Sequence, residues 1–259
     1  MPFAEIQNNS VHYSWLDYDR EETVVFINSL GTNFTIWNQM LPFFTNTYNI
    51  LLHDKRGHGF SSYPNGETCI DDYADDIITL MDHCGIKKAH VVGLSIGGLI
   101  AYSLAERHPK RIKKLIFSNT GFKIGTSLGW EERILDVEEN GLQSISDMVM
   151  QRWFSADFRA SQASQVIGYM TLLTQTTKPG YLSACKAIAK ADYAITAKNM
   201  GFEALFIGGK HDLSTPPEFV KKMSEQTKGS KYIEMPDVGH LPCLENPLAY
   251  AEHIINFIG

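Results

Sequence analysis

Three short stretches carry residue types that together could cleave an acyl bond. Gly93-Leu94-Ser95-Ile96-Gly97 brackets a serine with glycines directly after the apolar run Ala89-His90-Val91-Val92. Far downstream, Gly208-Gly209-Lys210-His211-Asp212 and Pro236-Asp237-Val238-Gly239-His240 each place polar groups just past a strand-like run. A serine hydroxyl is a weak nucleophile near neutral pH. An imidazole must therefore accept its proton, and a carboxylate must fix the imidazole tautomer and stabilise the imidazolium. Ser95, Asp212 and His240 fill the roles of nucleophile, acid and base in that chain order. Glu234 and Asp237 are rival carboxylates, but both lie so near His240 in the chain that they read as surface groups, and His211 reads as a loop residue.

The oxyanion formed during attack needs two aimed backbone N–H groups. Ile96, directly after the serine, offers one. Leu30 offers the other, in the loop Asn28-Ser29-Leu30-Gly31-Thr32-Asn33 that follows Thr23-Val24-Val25-Phe26-Ile27. Their backbone direction matters more than their side chains. Two other readings of the serine compete: an idle serine in a glycine-rich turn, and a dinucleotide phosphate loop. The second fits less well, because Ser95 stands where the second glycine should let a pyrophosphate approach. His53 and His58 lack a third ligand at suitable spacing, so no metal is expected and turn-stabilising hydrogen bonds account better for their loop.

These groups need a scaffold that brings strand ends together. Unalternating apolar strands are expected at 23–27, 48–52, 89–92, 112–119, 204–207 and 231–235, the pattern of a parallel sheet covered on both faces. A hairpin, 4–7 with 11–15 through Asn8-Asn9-Ser10, supplies an antiparallel edge. Helices are expected at 36–44, 71–84, 99–107, 216–228 and 247–258. On the second, Tyr73, Ile77, Leu80 and Met81 share an apolar face, and Asp72, Asp75, Asp76 and Asp82 read as a solvated face. From about 122 to 200 there is no convincing strand, only helical pieces at 130–139, 142–153, 161–174 and 180–189. The fold class is therefore α/β: a mostly parallel central sheet flanked by helices, with an inserted all-helical cap. The core comprises 1–121 and 201–259, and the cap 122–200 lies over the strand ends where ligands bind in such sheets.

With 259 residues and 44% hydrophobic content, one large domain is favoured over two. A net charge of -6 without long runs of one sign argues against a nucleic-acid or polybasic membrane surface. Cys69, Cys84, Cys185 and Cys243 are scattered and form no C-x-x-C pair, as expected for free thiols in a reducing compartment. No leader pattern opens the chain, so a cytoplasmic protein is expected, as monomer or homo-oligomer.

Nearly the whole chain resembles the α/β-hydrolase family, including Asp54-Lys55-Arg56-Gly57-His58-Gly59-Phe60-Ser61. Within it, the resemblance is to 3-oxoadipate enol-lactonases. It rests on Phe26-Ile27-Asn28-Ser29-Leu30-Gly31-Thr32-Asn33 followed by Trp37, on Phe117 to Thr126, on Trp130-Glu131-Glu132-Arg133-Ile134 and on Gln151-Arg152-Trp153-Phe154. It implies a five-membered enol lactone bearing an acetate arm as substrate, and no metal or organic cofactor. Trp130 and Arg133, three apart on one helical face, match a W-x-x-R pattern that implies an aromatic wall beside a guanidinium for the carboxylate. Ser29 and Trp153 are further candidates for the substrate pocket. A plainer reading pairs Arg133 with a neighbouring glutamate on a solvated helix. A carboxylesterase or carbon–carbon bond hydrolase acting on another small acid, or a receptor with negligible turnover, stays open beside the lactonase reading.

Overall fold

The computed structural model describes residues 2–64 and 66–259. Among these, the apolar runs become one eight-stranded sheet. Its strands are β1 (Phe3–Ile6), β2 (Asn9–Leu16), β3 (Glu22–Ile27), β4 (Tyr48–His53), β5 (Ala89–Leu94), β6 (Ile112–Ser118), β7 (Ala204–Gly209) and β8 (Lys231–Met235). The spatial order is β1-β2-β4-β3-β5-β6-β7-β8. β2 runs antiparallel to both β1 and β4, and β3 to β8 pair in parallel. Every residue of β4, β5 and β7 is buried, because helices cover both faces and leave no solvated side to alternate with.

The helices are α1 (Leu41–Phe44), α2 (Ile70–His83), α3 (Ile96–Arg107), α4 (Ser127–Asn140), α5 (Ser146–Trp153), α6 (Ala156–Ser161), α7 (Ala163–Thr174), α8 (Lys178–Lys190), α9 (Ala194–Asn199), α10 (Pro217–Gln226), α11 (Pro242–Glu245) and α12 (Pro247–Ile258). All of α4 to α9 lie in the segment between β6 and β7. Of the described helices, none is long and apolar enough to cross a membrane.

Several expectations need correction. The hairpin turns at Gln7 and Asn8, both with positive φ, rather than through Asn8-Asn9-Ser10; Asn9 and Ser10 already belong to β2. The helix expected at 36–44 is broken into a 3-10 turn, Phe34–Trp37, and α1. Pro42 explains the break: it has no N–H to give to the carbonyl four residues back, and its ring would clash there. The segment expected to start a helix at 142 begins one at Ser146. α6, α9 and α11 had no counterpart in the sequence reading; α6 is announced by Ser155, whose Oγ accepts from Phe158 N as a helix cap.

The acidic face of α2 is not wholly solvated either. Asp76 is buried and takes both Nε and Nη2 of Arg56, at 2.7 and 2.5 Å. That pair fastens the loop after β4 to α2. Removing one partner would leave a buried charge alone, a loss of about 3–5 kcal/mol.

Candidate active site

β5 delivers Ser95, which stands between that strand and α3 with φ 60° and ψ -119°. This backbone is strained for a residue with a Cβ, at a cost of roughly 1–3 kcal/mol. Surrounding bonds hold it: Ser95 N donates to Ser118 O at 3.0 Å, and Gly98 N and Thr120 Oγ1 donate to Ser95 O at 2.8 and 2.6 Å. The flanking glycines are demanded by close approach. A Cβ on Gly97 would lie 2.3 Å from Ile27 O, and one on Gly93 would lie 2.3 Å from Gly97 O.

The ends of β7 and β8 bring Asp212 and His240 to the same edge. His240 Nδ1 donates to Asp212 Oδ2 at 2.8 Å. The carboxylate is also held by Asn119 Nδ2 at 2.9 Å, Thr215 Oγ1 at 2.7 Å, Ser214 N at 2.7 Å and Thr215 N at 3.1 Å. Burial by itself would raise the pKa of Asp212. The charge of His240 and the hydrogen bonds from His240, Thr215 and Asn119 outweigh burial and leave it below the ordinary carboxylate value. The carboxylate thus stays ionised and orients the ring. Glu234, Asp237 and His211 are exposed.

A cavity of about 470 Å³ is lined by Ser29, Leu30, Ser95 and His240, together with Trp130, Arg133, Arg152 and Trp153. Asp212 is buried behind His240, and Ile96 is fully buried. Ile96 is the first residue of α3, so its N–H has no intrahelical acceptor. Leu30 N–H likewise makes no hydrogen bond among the described residues. Both proposed oxyanion donors are therefore unspent.

Trp130 and Arg133 meet as the spacing implied, the guanidinium lying 5.4 Å from the indole centroid. Trp130 Nε1 donates to Ile124 O at 2.7 Å, which fixes the ring. Against the plainer reading, Arg133 has no carboxylate within 4.0 Å among the described residues; its Nη2 lies 3.4 Å from Met148 Sδ. Arg152, an exposed residue lining the cavity, also has none among the described residues. Burial first, and the charge of Arg133 second, lower the pKa of Arg152. Glu132 and Asp136 also line the cavity, but neither lies within 4.0 Å of either guanidinium, so Arg133 and Arg152 both face it without a paired carboxylate among the described residues.

Further residues brace the site. Asn119 sits past the end of β6 and bonds to both Asp212 and Gly239 O. A polar residue just after a strand, it carries the same local signal in the sequence as Asp212. Glu245 accepts from Gly239 N at 2.7 Å and from Ser155 N and Oγ at 3.1 and 2.6 Å, and His240 N donates to Trp153 O at 2.9 Å. The loop bearing the histidine is thereby tied to the end of α5.

His58 Nδ1 lies 3.2 Å from Arg56 O, a turn contact of the kind expected of that loop. Much of the loop is nevertheless buried, Lys55, Arg56 and His58 included, while Gly59 and Phe60 are exposed.

A family model described as the alpha/beta hydrolase fold matches residues 22–203, and the chain belongs to that family. It is similar to 3-oxoadipate enol-lactonase 2 of Acinetobacter baylyi, 33% identical over 244 residues, covering 94% of this chain and 91% of the relative. 3-Oxoadipate enol-lactonase 1 of the same organism is 30% identical over 235 residues, 91% of this chain and 88% of the relative. The crystal structure of the enol-lactonase from Burkholderia xenovorans LB400 superposes with a TM-score of 0.96 at 31% identity, over 99% of each chain.

Proposed function

We propose that this hydrolase opens 3-oxoadipate enol-lactone to 3-oxoadipate, with Ser95 as nucleophile, His240 as base and Asp212 as its orienting acid. The observation that carries the reading is the unneutralised Arg133, stacked against Trp130 in the cavity that Ser95 and His240 also line. A lactone bearing a carboxylate arm needs such a cation in an otherwise acidic protein. The relatives' names support the same substrate.

In this reading Ser95 Oγ attacks the lactone carbonyl as His240 takes its proton, and the oxyanion rests on Leu30 and Ile96 N–H. The C–O bond of the ring breaks, and the ring oxygen takes the proton from His240 to leave as an enol, which tautomerises to the ketone. Water activated by His240 then cleaves the acyl-enzyme and frees Ser95. Residues 122–200 act as the cap over a core of 1–121 and 201–259; the cavity-lining side chains of α4, α5 and α8 support that division. The four cysteines are free, in keeping with a reducing, cytoplasmic setting.

The test follows loss of the enol-lactone's ultraviolet absorbance with purified protein, beside a neutral aryl ester. Rapid lactone turnover is expected. Fast ester cleavage with no lactone turnover would assign the site to a carboxylesterase instead.

A further inference from the structure

Lys55 is the least expected charge in the molecule. It follows β4 by two positions, is 1% exposed, and has no carboxylate within 4.0 Å among the described residues. An ammonium buried without a counter-ion is costly unless backbone dipoles serve it. Here Nζ donates to Asn28 O at 3.1 Å and to Ser29 O at 2.9 Å, two successive carbonyls of the loop that carries Leu30.

The consequence lies in the next peptide bond. Ser29 O also accepts from Thr32 N at 3.3 Å and Thr32 Oγ1 at 2.8 Å. The Ser29–Leu30 peptide is trans, so its N–H points opposite to its C=O. Fixing the carbonyl toward Lys55 and Thr32 aims Leu30 N–H the other way, and Leu30 itself lines the cavity together with Ser29 and Ser95. A peptide turned over by half a revolution would push its carbonyl toward a developing oxyanion and set an N–H against an ammonium, which is repulsive. Such a flip is ordinarily cheap in a loop; a buried cation makes it expensive.

We propose that Lys55 is a positioning residue for the oxyanion site: it holds the Asn28 and Ser29 carbonyls so that Leu30 N–H faces the Ser95 adduct, and it excludes the flipped peptide. Burial, more than the opposing pull of Asp54, brings its pKa down to about 7. Charged or neutral, the amine keeps at least two N–H donors for the two carbonyls. The inference rests on Ser95 being the nucleophile but not on the identity of the lactone.

The test uses ethyl p-nitrophenyl methylphosphonate, a neutral probe that needs neither Arg133 nor the natural substrate. Ser95 Oγ bonds to phosphorus, p-nitrophenolate leaves, the serine proton passes to His240, and the P=O oxygen takes the oxyanion's place. Lys55→Met is expected to slow phosphonylation about 10- to 100-fold, a fraction of what outright loss of an oxyanion donor costs. On a neutral aryl ester its kcat should fall while KM stays within about threefold, and Lys55→Gln, which keeps an amide donor, should recover part of the rate. A folded Lys55→Met that reacts within about twofold of wild type overturns the proposal. Should Lys55→Met not fold, Thr32→Val removes another donor to the same carbonyl and is expected to slow the reaction at least about threefold; an unchanged rate counts equally against it. Absence of any wild-type adduct on Ser95 sinks the nucleophile assignment itself, a different outcome from wild type and variant reacting alike.

Discussion

One oxygen of Asp212, Oδ2, receives three side-chain donors: His240 Nδ1 at 2.8 Å, Thr215 Oγ1 at 2.7 Å and Asn119 Nδ2 at 2.9 Å. The orientation of the base therefore depends on Asn119, just past the end of β6, as well as on Thr215 in the segment after β7. Asn119→Ala should lower kcat roughly tenfold with little change in KM, since Oδ2 keeps its other donors. Asp212→Asn, which offers the imidazole the wrong partner, should cost about 10³–10⁴. Steady-state kinetics on the lactone reads both, and equal losses from the two variants would show that Asn119 does more than brace the carboxylate.

Arg133→Ala is expected to raise KM for the anionic lactone at least tenfold and to leave a neutral ester nearly untouched, because the guanidinium it removes has no carboxylate within 4.0 Å among the described residues. Arg152→Ala should show the same selectivity at a smaller magnitude, its position being more solvated. Parallel losses on both substrates would point to a packing role for either residue.

Acid should weaken the fold at the end of β4 and in the loop that follows it. Burial first, and the charge of Lys55 second, push His53 and His58 down to about 3 from an ordinary value of 6.5. Between those values the unfolded chain binds more protons than the folded one. The histidines' contribution is thus complete above about pH 6.5 and is lost as pH falls toward 3. Urea unfolding from pH 7 to 4 should show stability falling by up to about 1.4 kcal/mol per pH unit per histidine. His58→Gln should flatten that slope whatever it does to the absolute stability, and an identical slope in the variant would refute the assignment.

Gly180 of α8 and Gly57 touch backbone to backbone; a Cβ on Gly180 would lie 2.5 Å from Gly57 Cα. Alanine ordinarily strengthens a helix by up to about 1 kcal/mol relative to glycine. Here overpacking of roughly 1–3 kcal/mol should win. Gly180→Ala is expected to lower the melting temperature and to raise KM as α8 shifts, measured by thermal unfolding and lactone kinetics together.

Much of this architecture was legible in the chain because its signals are local. Apolar runs without alternation marked the buried strands, and polar residues just beyond three of them marked Ser95, Asp212 and His240. What escaped depends on contacts between distant segments. Lys55, Arg56 and Asp76 look like solvent-facing charges, and only the packing of the loop after β4 against α2, for Arg56 and Asp76, and against the loop after β3, for Lys55, buries them. Arg152 sits beside Trp153, but helical phase alone does not say which neighbour turns inward. The fate of 34–44 turned on a single proline whose local effect was there to be weighed.

The hydrogen bond from His240 N to Trp153 O, with Glu245 clasping both Gly239 and Ser155, has an evolutionary corollary. α4 and α8 can exchange side chains and reshape the pocket while the base stays in place. The end of α5 has no such freedom, because a substitution there moves the imidazole along with the wall. New substrates are therefore more accessible to this scaffold through mutations near Trp130 of α4 or Tyr181 of α8, both of which line the cavity, than near Trp153. A directed-evolution library that spares residues 153–155 should retain a larger active fraction than one that samples them.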